Sequence, residues 1–208
     1  LKKAEMVPLS TVHAIEPYPP FHSKLEKLAT ENKRILPKRL ALSDENGSGF
    51  LKINKSKGTN SLLRSSDNGR AIYGDLLTST GEIDVKTQKL DDFLKENAIE
   101  QVDLLKLDLQ GSELQALIGA SRALKEGKIK CILCEIMFQP HYESQPPANA
   151  ILNELVTKHD YMLFNLYQSH HHHGYLCQAD ALLFHSSIHS IARDNARLAF
   201  QPHSALPL

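Results

Sequence analysis

Short apolar segments recur along the chain and alternate with stretches in which apolar residues are spaced three or four positions apart. A short apolar run bounded by turn residues predicts a buried strand, whereas the longer spacing predicts an amphipathic helix. Strands that alternate with helices in this way predict an α/β fold with a mostly parallel sheet covered on both faces. The predicted strands cover residues 12–15, 39–42, 102–109, 129–137, 161–166 and 180–184.

Two helix starts are indicated by serines that precede apolar stripes. Ser23 and Ser112 are each followed three residues later by Glu or Gln, which is the capping-box pattern. The second helix is predicted to end before Gly127, and Gly119 inside it predicts close packing of the helix against the sheet. Further helices are predicted at residues 148–158 and 187–198.

The segment 44–87 is rich in Gly, Ser, Asn and Asp and contains β-like pieces at 50–53 and 82–85. Structureless connections of this length are uncommon in compact domains. A chain of 208 residues is long enough for one sizeable hydrophobic core and a little short for two. We therefore expect a single domain over residues 1–208 with a hairpin and loop insertion at about 44–87.

Charge and hydropathy narrow the classes of partner. The 24 basic and 24 acidic residues cancel, and no dense run of Lys or Arg is present, so nucleic acid is not an expected partner. No stretch approaches the roughly 20 apolar residues that span a bilayer, and no leader-like pattern opens the chain. We therefore expect a cytoplasmic protein without a membrane span.

Glu16 is the first candidate for chemistry, because it ends the predicted strand 12–15 and is followed by Pro17, which stops the strand. A carboxylate at this place in a nucleotide-binding α/β unit accepts hydrogen bonds from both ribose hydroxyls. The alternative is an ordinary surface glutamate at a strand end.

The second candidate is Asp108, which lies where the strand 102–109 turns into a helix through Gly111. Ligands of open α/β sheets bind at this edge, although an aspartate here can also simply cap the turn. Lys106 lies on the same face of the strand, and a lysine in an apolar strand is costly unless it is paired. We expect Asp108 to be its partner.

Several short motifs occur in an order that is typical of one enzyme family. They are Ala14-Ile15-Glu16-Pro17, Ala41-Leu42-Ser43-Asp44, Asn60-Ser61-Leu62, Leu90-Asp91-Asp92-Phe93-Leu94, the block from Asp103 to Glu113, Leu117-Ile118-Gly119-Ala120, Cys134-Glu135-Ile136 and the late strand 178–184. With these motifs the chain resembles the FkbM-like S-adenosylmethionine-dependent methyltransferases, over roughly residues 12–184. The most specific part of the resemblance is the block from Lys106 to Glu113.

The resemblance implies a Rossmann-like class I fold, with a seven-stranded, mostly parallel sheet and an antiparallel last strand. It implies that Glu16 holds the ribose of S-adenosylmethionine, that Ser43 or Asp44 lies by the adenine, and that Asp108 faces the methionine part or the transfer centre. The implied reaction is O-methylation of a hydroxyl on a small molecule, sugar or other glycan. Methylation at nitrogen or carbon is the alternative within this family.

The chain departs from the family pattern before Glu16, where the family's first strand and glycine-rich turn do not occur. Gly47 and Gly49 lie after the third family strand, so they are expected in a hairpin turn. We expect the first strand to be missing from this chain and supplied by an upstream part of a longer protein. The alternative is that cofactor binding has been lost.

His141 follows the strand 129–137 and is a candidate general base at the binding edge, or otherwise a loop histidine. The four histidines at 170–173 precede Gly174 and are predicted to form a loop, in which adjacent side chains define no tetrahedral metal site. We therefore expect no metal. Two other classes remain open, a non-catalytic α/β binding module and a metal-dependent hydrolase that uses Asp108, Glu135 and the histidine tract.

Overall fold

The computed structural model describes residues 10–188, in which strands and helices alternate as the sequence predicts. The strands are β1 (Val12–Ile15), β2 (Ile35–Lys38), β3 (Ala41–Leu42), β4 (Gly47–Asn54), β5 (Ser79–Gln88), β6 (Val102–Leu107), β7 (Ile129–Met137), β8 (Tyr161–His172) and β9 (Tyr175–His185). The helices are α1 (Pro19–Glu31), α2 (Asp67–Tyr73), α3 (Leu90–Glu96), α4 (Glu113–Ile118), α5 (Ser121–Lys125) and α6 (Ala148–Leu152). A π-helical segment, Asn153–Thr157, continues α6.

The strands form three hydrogen-bonded sheets and not one continuous sheet. β1 pairs in parallel with β2, and β5 lies between β3 and β4. The largest sheet has the order β6-β7-β9-β8, in which β6 and β7 are parallel and β9 is antiparallel to both of its neighbours. The fold is therefore α/β with mixed sheets.

Both β1 and β6 lie at an edge of their sheets in the described part of the chain. Of the strands between residues 10 and 188, β1 is paired only with β2, and β6 only with β7. Leu104 on β6 is 52% exposed, although its sequence pattern is that of a central buried strand. The two edges matter for function because both strands end at the site described below.

The main core lies where α3, α4 and α5 pack against β6, β7 and β9. Its most buried members include Leu107, Leu117, Leu124, Ile132 and Leu183. Ile15 at the end of β1 packs against this cluster, so the small β1–β2 sheet is joined to the large one through side chains. This contact places the carboxyl ends of β1 and β6 on one common core.

Local signals predicted several elements imperfectly. Only the second half of the strand expected at 39–42 is present, as β3, and β2 before it was not predicted. The first helix begins at Pro19 with Tyr18 as its N-cap, so Ser23 lies inside it and caps nothing; proline already provides a helical φ and needs no N–H partner there. Ser112 is the N-cap residue of α4, but its side chain makes no capping bond.

Three further differences concern longer segments. The helix predicted to run to Gly127 is interrupted, because α4 ends at Ile118 and α5 starts at Ser121. The histidine tract is not a loop, since β8 continues to His172 and turns into β9 at Gly174. The insertion contains the helix α2, which was not predicted, between the long strands β4 and β5. Most of the helix predicted at 187–198 lies outside the described residues.

Candidate functional site

A cavity of about 130 Å³ opens where β1, β3 and β6 end. The insertion forms one wall through residues 57–62. The lining comprises Ile15, Glu16, Pro17, Phe21, Leu40, Ala41, Leu42, Leu51, Lys57, Gly58, Asn60, Ser61, Leu62, Asp108, Leu109, Gln110 and Ser112.

Glu16 reaches this cavity directly after the last ladder bond of its strand, in which its N–H donates to the Lys38 carbonyl at 3.0 Å. The backbone N–H of Tyr18 donates to Glu16 Oε1 at 2.8 Å and fixes the carboxylate. Within residues 10–188 the second oxygen, Oε2, receives no hydrogen bond. Burial raises the pKa of Glu16 above its usual value, although the Tyr18 bond opposes that rise.

Asp108 lines the same cavity from the other side. The expected pairing is present, because Lys106 Nζ donates to Asp108 Oδ2 at 2.8 Å. Burial alone would lower the pKa of Lys106, but the hydrogen bond and the charge of Asp108 outweigh burial and raise it. The second oxygen, Oδ1, accepts from Gln110 Nε2 at 2.9 Å. Glu16 and Asp108 therefore line one cavity, although their strands belong to two separate sheets and not to the one sheet expected from the sequence.

Glu113 organises the turn that carries Asp108. It is 2% exposed and accepts hydrogen bonds from the N–H groups of Leu109, at 2.7 Å, and Gly111, at 3.0 Å. Burial raises its pKa to about 7. In the sequence, Glu113 stood out only as the last residue of the family motif that begins at Asp103. No local pattern identifies that role, because the bonded N–H groups belong to the turn before the helix and not to the helix itself.

Glu135 extends the polar network into the large sheet. It is 7% exposed, and its two oxygens accept from Gln110 Nε2 at 2.9 Å and Gln178 Nε2 at 3.0 Å. Tyr73 of α2 donates to Gln178 Oε1 at 2.8 Å and so joins the insertion to the network. Burial and then the negative charge of Asp108 raise the pKa of Glu135 to about 8.

Ser43 and Asp44 stand apart from the other predicted site residues. They follow β3, whose Leu42 lines the cavity, but neither of them belongs to the lining. Ser43 Oγ donates to Asp44 Oδ1 at 3.0 Å, so the two polar groups partner each other. Their predicted place beside an adenine remains a prediction.

His141 lies beneath α2 and does not line the cavity. It is 2% exposed, its carbonyl accepts from Ser66 N–H at 2.9 Å, and Tyr73 packs edge to face against its ring at 5.0 Å. Burial, followed by the charge of His170, lowers the pKa of His141 to about 4. The structure thus separates His141 from Glu16 and Asp108, and its role as a base remains a prediction.

The histidine tract contacts the insertion. His170 stacks on Tyr73 with ring centres 5.6 Å apart, and its Nδ1 lies 3.4 Å from the Tyr73 hydroxyl. Between residues 10 and 188, no group of three or more His, Cys, Asp or Glu side chains is arranged to hold a metal ion. The three ligands required by the hydrolase alternative therefore do not converge in the described part.

Two polar atoms of cavity-lining residues test whether a nucleoside cofactor suits this site. Asn60 Nδ2 and Ser112 Oγ are both buried without a hydrogen-bond partner in the described structure. The amide orientation of Asn60 is fixed, since its Oδ1 accepts from the backbone N–H of Asn54 at 3.0 Å. A buried donor without a partner is costly. The Glu16 acceptor together with these donors fits a ligand rich in hydroxyl and carboxylate groups.

The structure and the comparisons with known proteins agree on the class of protein. Fold and site define an α/β protein with a cavity at the ends of its strands that is lined by apolar side chains and by two acids, Glu16 and Asp108. The profile described as Methyltransferase FkbM domain matches residues 2–177. The chain therefore belongs to the FkbM methyltransferase family, and the resemblance in its motifs is confirmed.

Comparison with individual proteins adds one relative. The 2-O-methyltransferase NoeI of Sinorhizobium fredii (strain NBRC 101917 / NGR234) is 39% identical over 75 residues, which make up 36% of this chain and 30% of that protein. The similarity thus spans less than a third of the relative's length. No solved structure matches the chain significantly. No helix described between residues 10 and 188 has the length and apolarity to cross a membrane.

Proposed function

We propose that this protein transfers the methyl group of S-adenosylmethionine to a hydroxyl oxygen of a small molecule or glycan. The observation that carries the proposal is that Glu16 and Asp108 line one cavity. Membership of the FkbM methyltransferase family supports methyl transfer, and the similarity to a protein named a 2-O-methyltransferase supports oxygen as the acceptor. Methyl transfer to nitrogen or carbon is the alternative, and it would use the same cofactor site.

Glu16 is the proposed ribose-binding residue. Its Oε1 is held by the Tyr18 N–H, and Oε2 receives no hydrogen bond from residues 10–188, so it is available to a ribose hydroxyl. When bound, the cofactor supplies an electrophilic methyl group whose leaving sulfur departs neutral. The protein must therefore align the acceptor oxygen, exclude water and remove the hydroxyl proton.

Asp108 is the proposed residue for orienting or deprotonating the hydroxyl. It lies at the cavity, whereas His141 is buried beneath α2 and outside the lining. The lowered pKa of His141, about 4, also makes its imidazole a weak base at neutral pH. Lys106 holds Asp108 in place through its other oxygen, Oδ2, at 2.8 Å.

We further propose that the fold is a Rossmann-like class I sheet with room for a strand between β1 and β6. Both strands have an unpaired edge in the part of the chain from 10 to 188, and Ile15 packs against the same core as Leu107. A strand seated there would pair both edges, and a glycine-rich turn after it would lie against the cofactor. Residues 44–87 contribute a cavity wall through 57–62 and so are the proposed determinant of substrate choice.

Titration calorimetry with S-adenosylhomocysteine tests the proposal on the chain and on a form extended at its amino end. Glu16→Gln should weaken binding by about tenfold, because it removes a charge-assisted hydrogen bond. Glu31→Gln, at the exposed end of α1, is the matched control and should bind as the unmodified chain does. Binding by the extended form alone would support a strand between β1 and β6. Failure of both forms to bind would refute the methyltransferase proposal and favour a non-catalytic module.

A further inference from the structure

Gln110 occupies the turn between β6 and α4 and lines the cavity. Its side-chain Nε2 lies 2.9 Å from Asp108 Oδ1 and 2.9 Å from Glu135 Oε2. A primary amide carries two N–H donors, so one donor serves each carboxyl group. Gln110 therefore bridges an acid at the end of β6 and an acid on the adjacent strand β7.

The orientation of this amide is fixed from three directions. The reverse orientation would place its oxygen against two carboxyl oxygens, and the Tyr142 hydroxyl donates to Oε1 at 2.8 Å. The backbone is held as well, because Ser61 Oγ donates to the backbone carbonyl of Gln110 at 2.7 Å. The backbone has φ of 54°, a left-handed conformation that is costly for a residue with a Cβ. Side chains of the insertion and of the loop after β7 thus hold Gln110 in an unfavourable conformation that directs its amide at the two acids.

Gln110 thus places a pair of neutral N–H donors between the carboxyl groups of Asp108 and Glu135. Paired carboxyl groups at short range do not both ionise readily, because each charge disfavours the other. We propose, building on the methyl transfer proposed above, that Gln110 is a positioning residue that holds the Asp108 carboxylate at the cavity and keeps it ionised beside Glu135.

Charged and titratable groups from several elements surround this bridge. They are Lys106 on β6, Glu113 on α4, Asp180 on β9, Tyr142 in the loop after β7 and Tyr73 on α2. Lys106 donates to the other oxygen of Asp108, Oδ2, and its charge also opposes the rise in the pKa of Glu135. Asp180 is the cross-strand neighbour of Glu135 and adds a further negative charge. Among these groups, the neutral amide of Gln110 is the one that donates a hydrogen bond to both acids.

Carbon-13 NMR titration of the Asp108 and Glu135 carboxyl groups tests this role without any ligand. Gln110→Met keeps the length of the side chain and removes both donors, so the titration midpoint of Asp108 should rise by about one pH unit or more. Gln110→Glu adds a third acid and should raise one midpoint further. The matched control is Gln101→Glu, because Gln101 Nε2 donates to Asp103 at 2.7 Å on the exposed surface. Gln101→Glu should leave the titration midpoint of Asp108 nearly unchanged, because solvent screens the charges at this exposed position.

Tyr142→Phe provides a second variant should the Gln110 variants fail to fold. It keeps the buried ring, removes the hydroxyl that orients the amide, and should shift the Asp108 midpoint in the same direction by a smaller amount. An unchanged Asp108 midpoint in Gln110→Met or, failing that variant, in Tyr142→Phe overturns the inference. S-adenosylhomocysteine titration separates the two proposals: loss of affinity in Gln110→Met supports both, and absence of binding to every form refutes methyl transfer while the NMR titration still decides the role of Gln110.

Discussion

Gly119 is the position at which a single methyl group should be most damaging. It is buried at the carboxyl end of α4, where an added Cβ would lie 2.1 Å from the Ser43 carbonyl oxygen and 3.3 Å from Lys89 Cα. The Gly119 carbonyl also accepts from the Asp91 N–H at 2.9 Å, so the helix end is tied to α3. Relief of the contact with Ser43 requires that α4 and the end of β3 separate by about 1 Å, because carbon and oxygen rarely approach below about 3 Å.

The magnitude follows from two opposing effects. Overpacking of a tight interior costs about 1–3 kcal/mol, and backbone atoms on both sides leave no flexible side chain to yield. Gly119 has φ of −66°, which alanine adopts freely, so alanine would recover about 0.4–1 kcal/mol by restricting the unfolded chain. We expect Gly119→Ala to lower stability by about 2 kcal/mol, which lowers Tm by about 4–8 °C in a domain of this size.

Scanning calorimetry on Gly119→Ala, with Gly58→Ala as the control, measures this effect. Gly58 has no neighbouring atom within 4 Å of an added Cβ and does not adopt a left-handed φ, so its replacement should leave Tm nearly unchanged. Equal Tm values for the two variants and the unmodified chain would refute the close approach of α4 to Ser43.

Two further predictions concern pH and helix capping. The folded pKa of Glu135, about 8, exceeds its unfolded value, so the native state binds this proton more tightly and its stabilising effect disappears as pH rises through about 8. Between pH 6.5 and 8 the free energy of unfolding of the unmodified chain should fall by roughly 1.5 kcal/mol more than that of Glu135→Gln. Urea unfolding at both pH values measures this difference. An equal change in unfolding free energy in the two proteins would contradict the prediction. His141, with its pKa lowered to about 4, and Glu113, with its pKa raised to about 7, are present in both proteins, so their own contributions largely cancel in this comparison. Ser66→Ala removes the N-cap of α2, whose hydroxyl accepts from Gly69 N–H at 2.9 Å, and should cost about 1 kcal/mol of unfolding free energy; Ser48→Ala, on the exposed strand β4, is the control.

Local patterns in the sequence determined the strands β1 and β7 to the residue, the pairing of Lys106 with Asp108 and the tight packing at Gly119. Each of these depends on neighbours that are close in sequence or on a property of a single residue type. The family motifs also indicated Glu16 and Asp108 as partners in one site, because parallel strands end at the same edge of a sheet.

Tertiary structure decided what depends on contacts between distant segments. The insertion wall at 57–62, the burial of His141 beneath α2 and the bridge from Gln110 to Glu135 have no local signature in the sequence. Local patterns can also mislead. Ser23 matches a capping pattern, but α1 begins earlier, at Pro19, so Ser23 does not cap it. Side-chain burial and hydrogen bonding are set by which surfaces meet, and that depends on the packing of the whole chain and not on the spacing of residues along it.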